Sequence, residues 1–388
     1  MCRASGMVLG VVALVAFVGC GGGGGSNNDE GPVSTATPTP EALPTATAKP
    51  TPDVQANAWS VGDRNEPGSR TGVILRSTDA GVHWNETFAQ NDVLFEGVSF
   101  ADKARGWVVG TSEVLRTDDG GLNWASQRAA VPVDVFSLSA IQAVSRDTAV
   151  AVGGGAPLPG TADAASLILR TTDGGSRWGE VTIAAGGGGD PTRTRLASIC
   201  ITSAGTGFTV GSGVGTQLIA RTTDGGLSWI DVTSAVLDDS AASELFDVTC
   251  FGDDVWIATN GGTFLRYSDD GGSNWRDVTV PPDVAAVTGV SAPAPGIAIA
   301  VGLDATSLPL IIRTSDGGRS WTRRAVTGVS SEGFFNDVTF ADADTGTAVG
   351  RLDVPTSLTA ISDDQGATWT SGETLAGDVQ LRDVARLE

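Results

Sequence analysis

The chain has one histidine, one tyrosine, two methionines and, in 388 residues, only two lysines, Lys49 and Lys103. A lone His83 leaves no histidine-based metal cluster and little basis for histidine-centred acid/base chemistry. Positive charge is scarce too, with 24 Lys plus Arg against 45 Asp plus Glu and a formal charge of -21. A nucleic-acid binder needs a net basic surface or stripe, so that class is excluded. No apolar run reaches the ~20 residues of a membrane-spanning helix. What is present is globular in kind: 40% hydrophobic residues, 18% charged residues and 53 glycines, well outside the disordered class.

Residues 1–20 have the pattern of a leader. Arg3 precedes the uncharged run from Met7 to Val18, and the run ends at Phe17-Val18-Gly19-Cys20. This ending resembles a bacterial lipobox, with Phe17 where that family usually has leucine. The resemblance implies lipidation of Cys20, with plain secretion or an uncleaved anchor as the other outcomes for the same segment. Residues 21–56 follow as a spacer, first glycines and then a Thr/Pro/Ala stretch with almost nothing apolar to bury. Such a composition favours a solvated, semi-extended tether.

The remainder, residues 57–388, repeats one phrase seven times. The phrase is a hydroxyl residue, any residue, Asp, any residue, Gly, two more residues and Trp. It fixes Asp79, Gly81 and Trp84; Asp119, Gly121 and Trp124; Asp173, Gly175 and Trp178; and Asp224, Gly226 and Trp229. It recurs at Asp270, Gly272 and Trp275; Asp316, Gly318 and Trp321; and Asp364, Gly366 and Trp369. The tryptophans recur every 40 to 54 residues, the length of a four-stranded propeller blade. The chemistry fits a hairpin staple: Asp accepts turn amides, Gly supplies positive φ, the hydroxyl adds a turn contact and Trp packs beneath.

Upstream of each phrase lie three short apolar strands, as in Val98-Ser99-Phe100, Gly106-Trp107-Val108-Val109-Gly110 and Val114-Leu115. In order they are A, B and C, with D starting around the tryptophan. The body opens on a B-like strand, Ala58-Trp59-Ser60-Val61-Gly62, and closes on an A-like strand, Leu381 to Leu387. The expected fold is therefore an all-β, seven-bladed propeller closed by pairing of the C-terminal strand with blade one. Alternating strand direction puts the A–B turns and the boxes on one face and the longer B–C and D–A loops on the other. A binding face, if present, is expected on the long-loop side.

These boxes resemble those of the Asp-box, or bacterial neuraminidase repeat, propellers. The longer phrase from Val98 through Gly121 is most similar to the photosystem II assembly and stability factor group. That resemblance implies an extracytoplasmic, non-catalytic assembly scaffold with a protein partner, no cofactor and no bound metal. With Cys20 lipidated, it implies a monomeric propeller held at a membrane in the periplasm or at the cell surface. The alternative is a secreted glycoside hydrolase of the Asp-box type. Against it, sialidases use a Tyr nucleophile, whereas Tyr267, the sole tyrosine, precedes the fifth box on the hairpin face. Xyloglucan-active relatives place two acids between two propellers, and this chain has one.

Two further features carry expectations. Arg64, Arg70, Arg323, Arg324 and Arg351 fall on blades six, seven and one near the long-loop face, a candidate patch for an acidic protein segment or lipid headgroup; Asp63, Glu66, Glu332 and Asp353 are placed to neutralise it. An arginine also precedes the box hydroxyl in most blades, as at Arg76, Arg116, Arg170, Arg221 and Arg313. These are expected to make intra- or inter-blade contacts, with strand-A acids Asp247, Asp337 and Asp383 as candidate partners; the alternative is a partner-binding ring. Cys200 and Cys250 align one position apart on A strands of adjacent blades. Their side chains should point to opposite sheet faces, which favours two buried free thiols.

Overall fold

A computed structural model of the chain describes residues 57–66, 68–134, 136–157, 164–237, 244–260, 264–353, 356–375 and 377–387. Cys20, the leader and the 21–56 spacer lie outside the described residues. The described part forms seven sheets, each with four antiparallel strands, arranged as a β-propeller. Blade one takes its inner strand A from the C-terminus, Val379–Leu387, paired with strand B at Asn57–Glu66 from Leu387 opposite Asn57 to Val379 opposite Arg64. Strands C and D follow at Ser69–Ser77 and Asn85–Asn91. The inner strands of blades two to seven are Phe95–Phe100, Ser137–Ala143, Arg195–Ile201, Glu244–Phe251, Val284–Ala294 and Gly333–Phe340. In blades four and seven the incoming chain adds a two-residue parallel strand outside D, at Ile183–Ala184 and Val326–Thr327.

Strand B lies between two neighbouring blades, so both of its faces are covered and it reads as a continuous apolar run. Gly106–Gly110 is buried at every residue, and so is Gly346 to Gly350. The glycine ending this run has a specific cause. Opposite it, strand A carries a β-bulge in every blade, as between Phe95 and Gly97 or Phe335 and Asp337. A Cβ on Gly62, Gly110, Gly153, Gly211, Gly302 or Gly350 would sit 1.8–2.2 Å from a carbonyl oxygen of strand A or, for Gly110, of Leu94 just before it. Only a hydrogen fits there; blade five has Thr259 at this register.

The seven boxes share one hydrogen-bond pattern. The hydroxyl of Ser77, Thr117, Thr171, Thr222, Ser268, Thr314 or Ser362 donates to the box Asp Oδ1 at 2.8–3.0 Å. The same oxygen accepts the box glycine N–H at 2.8–3.0 Å. The Asp Oδ1 then accepts the N–H just before the tryptophan at 2.8–2.9 Å. Hydrogen bonds from Ser228, Asn274 and Ser320 side chains, then from their amides, hold Asp224, Asp270 and Asp316 down to about 2.

Each box also rests on the preceding blade. Trp59 of blade one donates its indole N–H to the Gly120 carbonyl of blade two at 2.9 Å. Trp275 and Trp321 meet Phe208 and Trp256 of the blades before them edge-on, with ring centroids 5.6 and 5.8 Å apart. The arginines before the boxes add contacts in the same direction, from one blade to the box of the next. Arg116 donates to the Gly174 carbonyl in the next blade's box, Arg170 to that of Gly225 at 3.3 Å and Arg313 to that of Gln365 at 2.8 Å. They do not reach Asp247, Asp337 or Asp383, because strand C is two strands out from the axis and its side chains reach sideways to the next box.

The cysteine expectation is corrected: Cys200 and Cys250 form a disulfide between blades four and five, with Cα atoms 5.7 Å apart. The parity argument placed them properly one register apart but drew the wrong consequence. Adjacent blades stack face to face, so the front of one meets the back of the next. Opposite-facing side chains are what an inter-blade bridge requires.

Two outcomes follow. Removing residues 379–388 deletes the buried Val379, Leu381 and Val384 and leaves strand B of blade one with an open edge; calorimetry should show loss of the cooperative transition, and an unchanged melting curve would contradict this closure. In the box, Gly272 has φ +82°, and an added Cβ would lie 2.3 Å from the Phe208 ring. Gly272→Ala should cost about 2–3 kcal/mol by chemical denaturation, from backbone strain plus overpacking.

Candidate functional site

The strand-A bulges build the molecule's axial site. In each blade the extra residue leaves the ladder and turns toward the axis: Arg382, Glu96, Ser139, Ala197, Phe246, Thr288 and Asn336, in blade order from one to seven. All seven line one cavity of about 600 Å³ at the mouth of the central channel, on the side of the long loops. Arg195 completes the wall at the base of the loop entering blade four. Its guanidinium pairs with Glu96 at 2.5 Å and donates to Ser137 and Ser139 hydroxyls, each at 3.1 Å. Arg382 is held by Asp63 at 2.7 Å. Asn336 and Thr288 are fixed by donating to the Leu381 and Phe335 carbonyls. The mouth is thus a polar ring with two oriented guanidinium groups.

A second cavity of about 590 Å³ adjoins it and shares Arg195, Ser212 and Glu244. Arg193 lines this groove, as do the buried Phe136 and the 72% exposed Val214. A groove with apolar patches, backbone-rich walls and convergent cations suits an extended chain better than a compact metabolite.

The sequence-predicted arginines sit elsewhere. Arg64 and Arg70 lie on strands B and C of blade one, where Arg64 pairs with Glu86 and Arg70 with Asp63 at 2.9 Å. Arg323, on the outer strand of blade six, pairs with Asp304 at 2.5 Å and Asp283 at 3.1 Å. Arg324 lies near Arg313, whose pKa is lowered first by burial and then by the Arg324 charge. Arg351 stacks over the Phe334 ring at 6.0 Å. None of the five lines the mouth. Sequence reasoning missed the bulge residues, although a signal was present: each directly precedes the small or acidic residue that opens the Val-x-Phe-like half of strand A, as in Asn336-Asp337-Val338.

Chemistry at the carboxylates and the phenol is restrained. Tyr267 is buried, donates to Asp254 at 2.7 Å and lies under the Arg276 guanidinium, and burial raises its pKa. Among the described residues no group of three or more His, Cys, Asp or Glu is placed to hold a metal ion.

Comparison with known proteins places this geometry. The family model described as Photosynthesis system II assembly factor YCF48 matches residues 76–197 and 191–301. A curated relative, the Photosystem II assembly lipoprotein Ycf48 of Synechococcus sp. (strain CC9902), is 31% identical over 134 residues, 34% of this chain and 37% of that protein. The matched region therefore spans little more than a third of the relative. Two solved structures share the fold. One, described as YCF48 bound to D1 peptide, has a TM-score of 0.53 and 20% identity, with 81% of this chain and 92% of that one covered. The other, YCF48 from Cyanidioschyzon merolae, has a TM-score of 0.51 and 18% identity, with 76% and 95% covered. With the family model matched across most of blades two to five and parts of blades one and six, and with all seven blades carrying the box, this chain belongs to the photosystem II assembly factor YCF48 family of Asp-box propellers.

Proposed function

We propose that the chain is a non-catalytic scaffold that holds an extended polypeptide segment across the channel mouth while a larger complex is assembled. The observation that carries this is the ring of seven bulge residues with Arg195 and Arg382 fixed at its rim. Guanidinium groups held in place by neighbouring carboxylates present their remaining donors to a backbone or carboxylate at little entropic cost. A solved relative that carries a bound peptide supports the same use of the fold. On this reading Cys20 bears the lipid and the propeller works on the extracytoplasmic side of a membrane, in line with the lipoprotein name of the curated relative and with a structural disulfide.

Hydrolysis is the weaker reading because the phenol that a sialidase would use is committed to Asp254 and Arg276. The box aspartates are likewise committed to their own turns.

The test is fluorescence anisotropy with labelled acidic peptides of about fifteen residues, together with cross-linking of the anchored protein in its native membrane. Arg195→Ala should weaken peptide binding roughly tenfold, about 1.4 kcal/mol, and lower capture of the partner. A triple reversal of Arg64, Arg324 and Arg351 should leave both nearly unchanged; if it abolishes capture while Arg195→Ala does not, the docking surface is the blade six-to-one rim. Saturable turnover of a chromogenic glycoside that one carboxylate substitution abolishes would replace the scaffold reading altogether.

A further inference from the structure

One residue beyond the bulge, five blades contribute to the wall of the channel proper. Ala140 and Ser198 come from blades three and four, and the other three residues are aspartates: Asp383 in blade one, Asp247 in blade five and Asp337 in blade seven. They surround a cavity of about 330 Å³. Each reaches into the following blade. Asp383 accepts the Val98 amide at 2.7 Å, Asp247 the Val290 amide at 2.8 Å and Asp337 the Val384 amide at 3.0 Å. Ser198 does the same more weakly from blade four, accepting the Val248 amide at 3.3 Å. These clasps hold inner strand to inner strand around the axis.

The seam of the ring, where the C-terminal strand closes blade one, is the unusual case. The Val384 amide is shared between Asp337 at 3.0 Å and Asp383 at 2.8 Å, so two carboxyl groups converge on one donor. Among the described residues neither forms an ion pair. The arginines flanking Asp383 are turned away, Arg382 to Asp63 and Arg386 to the Thr347 hydroxyl at 3.1 Å. Glu96, beside the next clasp in blade two, is paired with Arg195. The other channel-facing groups near the pair are neutral hydroxyls such as Ser99 and Thr339, and Asp247 adds a third acid. Two carboxylates so placed without a cation cannot both be charged at low cost.

We propose that the ring seam is closed by a shared proton, a carboxyl of the Asp337–Asp383 pair donating to its partner while both accept the Val384 amide, so that acidification tightens the propeller and alkalinisation loosens it. This stands apart from the peptide-binding reading, since it concerns the channel and not its mouth. Burial, then the Asp383 charge, lifts Asp337 well above the carboxylate range; burial also raises Asp383 and brings Asp247 to about 6. Asp247, Asp337 and Asp383 line the channel cavity and are half-buried as residues, so the channel is the route by which a proton would reach them.

The sign follows from linkage. A carboxyl whose folded pKa is raised binds more protons folded than unfolded. Its contribution is complete below the unfolded value near 3.8, shrinks as pH rises and is gone above the folded value. The box aspartates act oppositely, from about pH 5 downward, where the unfolded chain begins to bind protons that the folded boxes do not. Exposed His83, raised by its bond to Asp79, is the one other described group whose shift has the same sign near neutrality.

The experiment is thermal unfolding of the full chain from about pH 5.5 to 8, above the range of the box aspartates, for wild type, Asp337→Asn and the controls His83→Gln and Asp118→Asn. The wild-type melting temperature should fall by about 2 °C per pH unit, the effect of about one proton. Asp337→Asn should flatten the slope and melt above wild type at pH 8, while both controls keep the wild-type slope. Parallel slopes for wild type and Asp337→Asn, or a slope lost in His83→Gln, would overturn the proposal. Should Asp337→Asn not fold, carbon-13 titration of aspartate carboxyls in the wild type decides the matter. An Asp337 or Asp383 resonance titrating above about pH 6 supports the shared proton, and titration of both at or below about pH 6 refutes it.

Discussion

Seven inner strands have to converge on one axis without their backbones colliding, and the bulge in each strand A is how this chain meets that demand. The bulge brings a strand-A carbonyl so close to strand B that only glycine fits opposite it in six of the seven blades. It also splits consecutive residues between two levels. The extra residue goes to the mouth, and the one after it goes to the level below, where in four blades an Asp or Ser side chain takes an amide from the next blade. Two rings of different chemistry thus arise from one local irregularity repeated around the ring.

At the periphery the same blade-to-blade logic is carried by the boxes. Each box is closed internally by its hydroxyl and aspartate, and its glycine sits against the blade before it. Arginines from that earlier blade grip the box carbonyls. Cohesion therefore runs sideways at both radii, at the axis through Asp and Ser clasps and at the rim through box contacts. Between blades four and five a disulfide adds to it. A repeat protein whose units contact only their neighbours is held by such interfaces, and the seam is where closure is decided.

Many of the described acids are engaged in turns, clasps and ion pairs, and the single phenol donates to Asp254 beneath the Arg276 guanidinium. What stays available is a walled opening with oriented donors and an adjoining groove. The fold alone hosts enzymes and binders alike, so the functional reading rests on this opening and its rim.

The periodic phrase from Asp79 to Trp369, the glycine-bounded B strands and the orphaned A strand at the C-terminus were legible without coordinates, because each encodes a local requirement of turn, packing or pairing. Blade number and closure followed from them. The disulfide was misjudged because facing blades invert the meaning of side-chain parity, and no single sheet contains that fact. The arginines of blades six, seven and one drew attention by their charge, yet Glu86, Asp63, Asp283 and Asp304 meet three of them in the folded chain. Local conformation is written in neighbouring residues, so sequence determined the blades. The mouth, the channel carboxyls and the Cys200–Cys250 bridge join residues from different blades, up to hundreds of positions apart in the case of Val98 and Asp383, and only tertiary structure could set which of them meet.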